Sequence, residues 1–197
     1  MNGRRPGSSG ESSLQRSGEF LRSALSPPIL GSEDAAEAAE SVVGGKARGL
    51  GALGRLPVAV PPWFVITDAA FQAHLDRGSS GLRVDDELAR LATHDRAADD
   101  FRKTLDYSAR VLARSIERTL LSDSVRARLQ AALTELGPGP VAVRSSMAGE
   151  DSGTASFAGQ LESFLFREGL EEVVEALKLC WASAFSARVL QYRLRHE

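Results

Sequence analysis

Gly137-Pro138-Gly139-Pro140 divides this chain into two kinds of structure. Two prolines without amide hydrogens, alternating with two glycines, cannot continue a helix. Before them, residues 82–136 carry apolar side chains at helical spacing. These are Leu82, Leu88 and Leu91, then Leu105, Val111, Leu112 and Ile116, then Val125, Leu129, Leu133 and Leu136. The spacing predicts three helices, with breaks near Thr93 to Asp95 and Leu121 to Asp123, the third capped by Ser122 or Asp123. After the stop, Val141 to Arg144 reads as a strand that enters a loop. Leu161 to Phe166 reads as a second strand, its apolar residues alternating roughly with Glu162 and Ser163. Leu170 to Arg195 then reads as one long amphipathic helix, with Val173, Val174, Leu177, Trp181, Phe185, Val189 and Tyr192 on or near one face. Strands and helices in separate blocks place the chain in the α+β class.

The part upstream is less regular. Residues 1–38 are rich in Ser, Gly, Pro and mixed charge and read as a disordered or loosely ordered tail. A short helix over Glu19 to Leu25 is stopped by Pro27-Pro28. The globular part, residues 39–197, starts near Ala39. Gly45 to Leu56 reads as a helix with Leu50, Leu53 and Leu56 along one face. Gly49, Gly51 and Gly54 weaken it in isolation and allow close packing against a neighbour or a ligand. Pro57, Pro61 and Pro62 end the pattern. Trp63 to Thr67 is a short buried strand, after which Asp68 is expected to cap a helix over Ala69 to Leu75.

Composition excludes several function classes. A net charge of −2 over 197 residues gives no electrostatic footprint for nucleic acid. No apolar stretch approaches the roughly 18 residues that a membrane span requires. Arg4, Arg5, Arg16 and Arg22 lie among serines, but Glu11 and Glu19 argue against a transit peptide, so no targeting segment is read. The single cysteine, Cys180, allows neither an intramolecular disulfide nor a cysteine zinc cluster. It sits in an apolar helical pattern and is expected as a buried thiol in a reducing, cytoplasmic compartment.

The chemistry gathers in two places. From Val141 to Gln160, an apolar run delivers Arg144 into a stretch of hydroxyls and small residues that includes Ser145, Ser146, Ser152, Gly153, Thr154, Ser156 and Gly159. One fixed cation, several hydroxyls and little bulk is the composition of a polyphosphate cradle. The guanidinium stays charged and can hold a phosphate bidentately, or it pairs with Glu150 or Asp151. Ser163, on the next strand, faces either the same pocket or solvent. Glu150-Asp151 reads as a magnesium-binding pair or as a solvated loop. The second place is Gly44-Gly45-Lys46 before a helix, which is either a structural turn or an anion site at a helix N-terminus. It is not a Walker A motif. Lys46 is one of three lysines, with Lys103 and Lys178, among 24 lysines and arginines. His74, His94 and His196 are scattered, without metal-ligand spacing. Arg188, Arg193 and Arg195 read as a solvated face from which Arg188 could reach a phosphate.

Six segments occur in a fixed order: Val43-Gly44-Gly45-Lys46-Ala47-Arg48-Gly49-Leu50, Val60-Pro61-Pro62-Trp63-Phe64-Val65-Ile66-Thr67, Val143-Arg144-Ser145-Ser146, Glu150-Asp151, Ser156-Phe157-Ala158-Gly159-Gln160, and Cys180-Trp181-Ala182-Ser183-Ala184-Phe185. Together, over about residues 40–195, they resemble the N-terminal nucleotide-binding domain of the pyruvate phosphate dikinase and phosphoenolpyruvate synthase family, which rifampin phosphotransferases share. The resemblance implies the first lobe of an ATP-grasp-like domain, with a mixed sheet and a helical insertion. It implies ATP as ligand, with Lys46 and Arg144 on its phosphates, Gly159 close to the nucleotide through its backbone, and Ser163 where the family often has a contacting Thr. It also implies phosphoryl transfer from ATP to a histidine on a swivelling domain, which then serves pyruvate, phosphate, water or a drug. In the family a second lobe follows and brings the Mg2+ carboxylates, whereas this sequence ends at Glu197, and none of its histidines stands in a Gly-rich Ser-His motif. The expectation is therefore a truncated ATP-binding part that works with that lobe and the phosphohistidine domain as partners. The alternatives are a non-catalytic nucleotide-binding or protein-interaction module, and a remnant that keeps the fold without binding.

Overall fold

The computed structural model describes residues 26–78, 84–95, 100–146 and 162–196. Its elements begin earlier than Ala39. Strand β1 (Ile29–Gly31) and helix α1 (Ser32–Glu37) precede α2 (Glu40–Gly54), β2 (Phe64–Ile66) and α3 (Asp68–Arg77). There follow α4 (Val84–Thr93), α5 (Phe101–Arg118), α6 (Asp123–Leu136), β3 (Val141–Arg144), β4 (Ser163–Arg167), α7 (Gly169–Ser183) and α8 (Ala187–His196).

Residues 29–37, expected within the tail, form β1 and α1. β1 pairs antiparallel with β2, with Leu30 opposite Val65. The Thr67 hydroxyl donates to the Pro27 carbonyl at 2.8 Å, and the Thr67 amide donates to that of Pro28 at 3.0 Å. Two prolines that end a helix are well suited to the extended entry of a strand. Ala35 of α1 is fully buried, and Arg48 of α2 donates to the carbonyls of Ala36 and Ala38 at the end of α1.

The expected mixed sheet is also corrected. Among the described residues the strands form two separate antiparallel pairs, β1–β2 and β3–β4. Each of these strands has five residues or fewer, and helices pack against both pairs. α+β remains the class.

Three cores hold the elements. The largest joins α4, α5, α7 and α8 through Leu91, Leu105, Leu112, Ile116, Phe185, Leu190 and Leu194. A second lies under both pairs, where Leu129 of α6 and Val173 and Leu177 of α7 meet Ile29, Ile66, Val141 and Val143. The third is small, with Ala35, Val43, Ala47 and Val65. Each fully buried leucine contributes about 1.5–3 kcal/mol relative to exposure, so the first two cores dominate stability.

Helix ends follow local chemistry. Ser122 caps α6 by accepting the Val125 amide at 3.3 Å. Asp68 does not cap α3; Thr67 is the N-cap residue, and its hydroxyl is already given to Pro27. The long helix expected over Leu170 to Arg195 is two. Amides of Ala184, Phe185 and Ser186 bond three residues back, which tightens the chain into a turn. The Ser183 hydroxyl donates to the Cys180 carbonyl at 2.7 Å. Ser186 then starts α8, accepting the Val189 amide on its hydroxyl at 3.4 Å. Apolar periodicity continues through the turn because Phe185 enters the first core.

Candidate functional site

Helix α2 is broken near its start. Gly44 has φ 79° and ψ 168°, so a short first segment ends there and the regular helix begins at Gly45. That backbone region is open to glycine and costly for other residues. Packing imposes a second demand on the same position. A Cβ at Gly44 would overlap the backbone carbonyl of Ser146. The Gly44–Lys46 turn and the end of β3 are therefore in direct contact, although about a hundred residues separate them in sequence.

A hydrogen bond closes that contact. The Ala47 amide donates to the Ser146 hydroxyl oxygen at 3.1 Å. Ala47 is the third residue of the helix that restarts after Gly44. An N-cap side chain normally accepts this amide, and Gly44 has no side chain to do so. Lys46 lies between these two anchored positions and is partly buried.

β3 and β4 place the second cation. Val141 and Val143 turn toward α7 and the second core, while Ala142 and Arg144 are exposed. Arg144 stands opposite Ser163 in the ladder, and Ser163 is exposed too. Directly opposed residues of an antiparallel pair share a face, with Cβ atoms about 4.5–5.5 Å apart. A bulge sets this register. Val143 opposes Phe164 and Val141 opposes Arg167, so β4 carries one residue more between these pairs. The left-handed backbone of Phe166, φ 56°, absorbs it and leaves Leu165 and Phe166 both exposed.

Of the expected site residues, the structure brings the Lys46 turn to the strand end that carries Arg144, and it sets Ser163 beside Arg144. Gly159 lies outside the described residues, as do Glu150, Asp151, Ser152, Gly153, Thr154 and Ser156. Arg188 is exposed on α8. The glycines of α2 divide by role. Gly51 abuts Ala36, where a Cβ would come within 2.8 Å of that residue's own Cβ, whereas a Cβ at Gly49 or Gly54 would meet no packed neighbour within 4 Å among the described residues. The helix therefore packs through Val43, Ala47 and Gly51, four residues apart. The expected face is not the buried one: Leu53 and Leu56 are 46% and 55% exposed.

His74, Glu87 and Cys180 are engaged within the fold. His74 is buried, its Nε2 2.9 Å from the Ile116 carbonyl and its ring 4.9 Å from that of Trp181. Burial lowers its pKa below the ordinary imidazole value; the Ile116 carbonyl opposes that shift, and the charges of Lys178 and Arg77 add to it. Glu87 is held below the usual carboxylate range by hydrogen bonds from Arg90 at 2.7 and 3.0 Å, and Arg90 also reaches Ser108. Cys180 is buried, as expected. Among the described residues no cluster of His, Cys, Asp or Glu could hold a metal ion. No helix there is long and apolar enough to cross a membrane.

Comparison with known proteins places the sequence among relatives. Residues 40–197 match the family model described as pyruvate phosphate dikinase, AMP/ATP-binding domain. A rifampicin phosphotransferase from Streptomyces sp is 38% identical over 164 residues, covering 82% of this chain and 18% of its own length. A phosphoenolpyruvate synthase from Aeropyrum pernix is 36% identical over 159 residues, covering 77% of this chain and 19% of its own. Another from Deinococcus radiodurans is 34% identical over 160 residues, covering 79% and 20%. The chain thus spans about a fifth of the length of these curated relatives. The chain belongs to the pyruvate phosphate dikinase AMP/ATP-binding domain family.

Proposed function

We propose that this chain is the ATP-binding part of a phosphotransferase, with Lys46 and Arg144 holding the nucleotide's phosphates. The observation that carries the reading is the seating of the Gly44–Lys46 turn on the end of β3, which gathers two cation-bearing segments on one edge of the fold. Arg144 offers a planar fork of donors for two phosphate oxygens, and Lys46 offers a compact charge. Ser163, opposite Arg144, adds a hydroxyl on the same face. Gly159 approaches the nucleotide through its backbone.

Such an arrangement suits phosphoryl transfer, in which negative charge spreads over the transferred group's oxygens. Fixed cations stabilise that charge without having to reorganise. In this reading residues 39–197, together with β1 and α1, form one lobe of an ATP-grasp-like fold. The phosphoryl group passes to a histidine on a separate swivelling domain and from there to an acceptor such as pyruvate or a drug hydroxyl. Mg2+ enters with ATP in this reading, its protein ligands coming from the family's second lobe.

Calorimetry of the 197-residue chain with ATP and magnesium tests the reading. Weak binding is expected, because a two-lobed cleft buries its ligand mostly between the lobes. Arg144→Ala should weaken it at least about tenfold, the size of one lost hydrogen bond to a charged group, with unchanged circular dichroism. No heat of binding from the wild-type chain overturns the proposal.

A further inference from the structure

We infer that Ser146 is the positioning residue of the phosphate site, acting as a helix cap supplied from outside the helix. The inference rests on the ATP reading above and adds to it a residue that acts through the Lys46 turn. Gly44 must be glycine for two reasons, its positive φ and the carbonyl of Ser146 against its α-carbon. The first turn of the regular helix consequently lacks a capping side chain of its own. Ser146 provides the missing oxygen, accepting the Ala47 amide at 3.1 Å. One side chain thereby fixes the turn that bears Lys46 at a set distance from Arg144, two residues before it in sequence.

The effect of Ser146 is geometric, so it reaches ATP only through Lys46 and Arg144. Without the cap, the turn is released from the strand end and the two cations no longer present one preformed site. The serine hydroxyl is small enough to stand against a glycine, and threonine keeps the same oxygen.

The test is ATP affinity of the full 197-residue chain with magnesium, read by calorimetry beside thermal unfolding. Ser146→Ala should weaken ATP about tenfold, the order expected when a cap worth about a tenfold change in an equilibrium is removed. Ser146→Thr should recover most of the affinity. Exchange of the Ala47 amide, followed by NMR, should quicken in Ser146→Ala and not in Ser146→Thr. The Lys46→Ala and Ser146→Ala losses should combine to less than their product, because the cap acts through the lysine. Wild-type binding with an undiminished Ser146→Ala variant overturns this inference and leaves the ATP reading intact. A wild-type chain that does not bind ATP overturns both.

Discussion

The core around α5 and the contact between α2 and β3 are built from opposite materials. α5, α7 and α8 meet through leucines, Ile116 and Phe185, with Trp181 beside Phe71 and His74. α2 meets its neighbours through Val43, Gly44, Ala47 and Gly51. Large side chains stabilise by removing apolar area from water, and many alternative fillings of the same volume are tolerated. Glycine and alanine bury little, but they bring backbone against backbone and leave no slack in where Lys46 stands. The first region holds the molecule together, and the second sets a distance.

The contrast can be broken from either side. Leu112 is fully buried in the large core. Leu112→Ala should cost about 2–5 kcal/mol in denaturant unfolding, while the fraction that stays folded keeps its ATP affinity. Unchanged stability would mean that this core is not what holds the fold. Gly44→Ala should cost about 1–3 kcal/mol through its left-handed backbone, and it should also abolish ATP binding, since the new methyl group displaces Ser146. An alanine variant that binds ATP like the wild type would refute the close approach. A gentler probe is pH. The folded-state pKa of His74 is lowered by burial, so the unfolded chain binds its proton more readily. The stability it contributes is complete above the unfolded value of about 6.5 and is lost as pH falls below it toward the lower folded value. His74→Phe should flatten unfolding free energy as pH falls below about 6.5. An unchanged slope would show that His74 is already accessible to protons.

The same contrast explains what could be read in the sequence. Helices of the two larger cores are visible as leucines at helical spacing, and the ends of α6 are marked by Ser122 and by Gly137 to Pro140. The one failure there, a single helix across Ser183 to Ser186, arose because Phe185 keeps the apolar rhythm through a turn. In α2 the rhythm points the wrong way. Its leucines suggest a buried face, yet the helix packs through residues too small to register as apolar pattern. β1 and α1 escaped for a related reason, since Gly31, Ser32 and the alanines of α1 look like tail composition. Lys46, Arg144, Ser146 and Ser163 could be singled out as phosphate-site candidates. That the Ser146 hydroxyl accepts the Ala47 amide could not, because the two lie 99 residues apart.

That separation bears on how the chain comes to its final form. A helix capped by its own preceding residue can start as soon as a few residues meet. The turn at Gly44 can take its final position only after a loop of 99 residues has closed and β3 is in place. Loop closure of that length has an entropic cost that local contacts do not offset, and distant contacts form late when topology governs the rate. The large core closes over separations as long, with Phe71 and His74 against Trp181, so the Lys46 turn takes its place together with the packed fold rather than ahead of it.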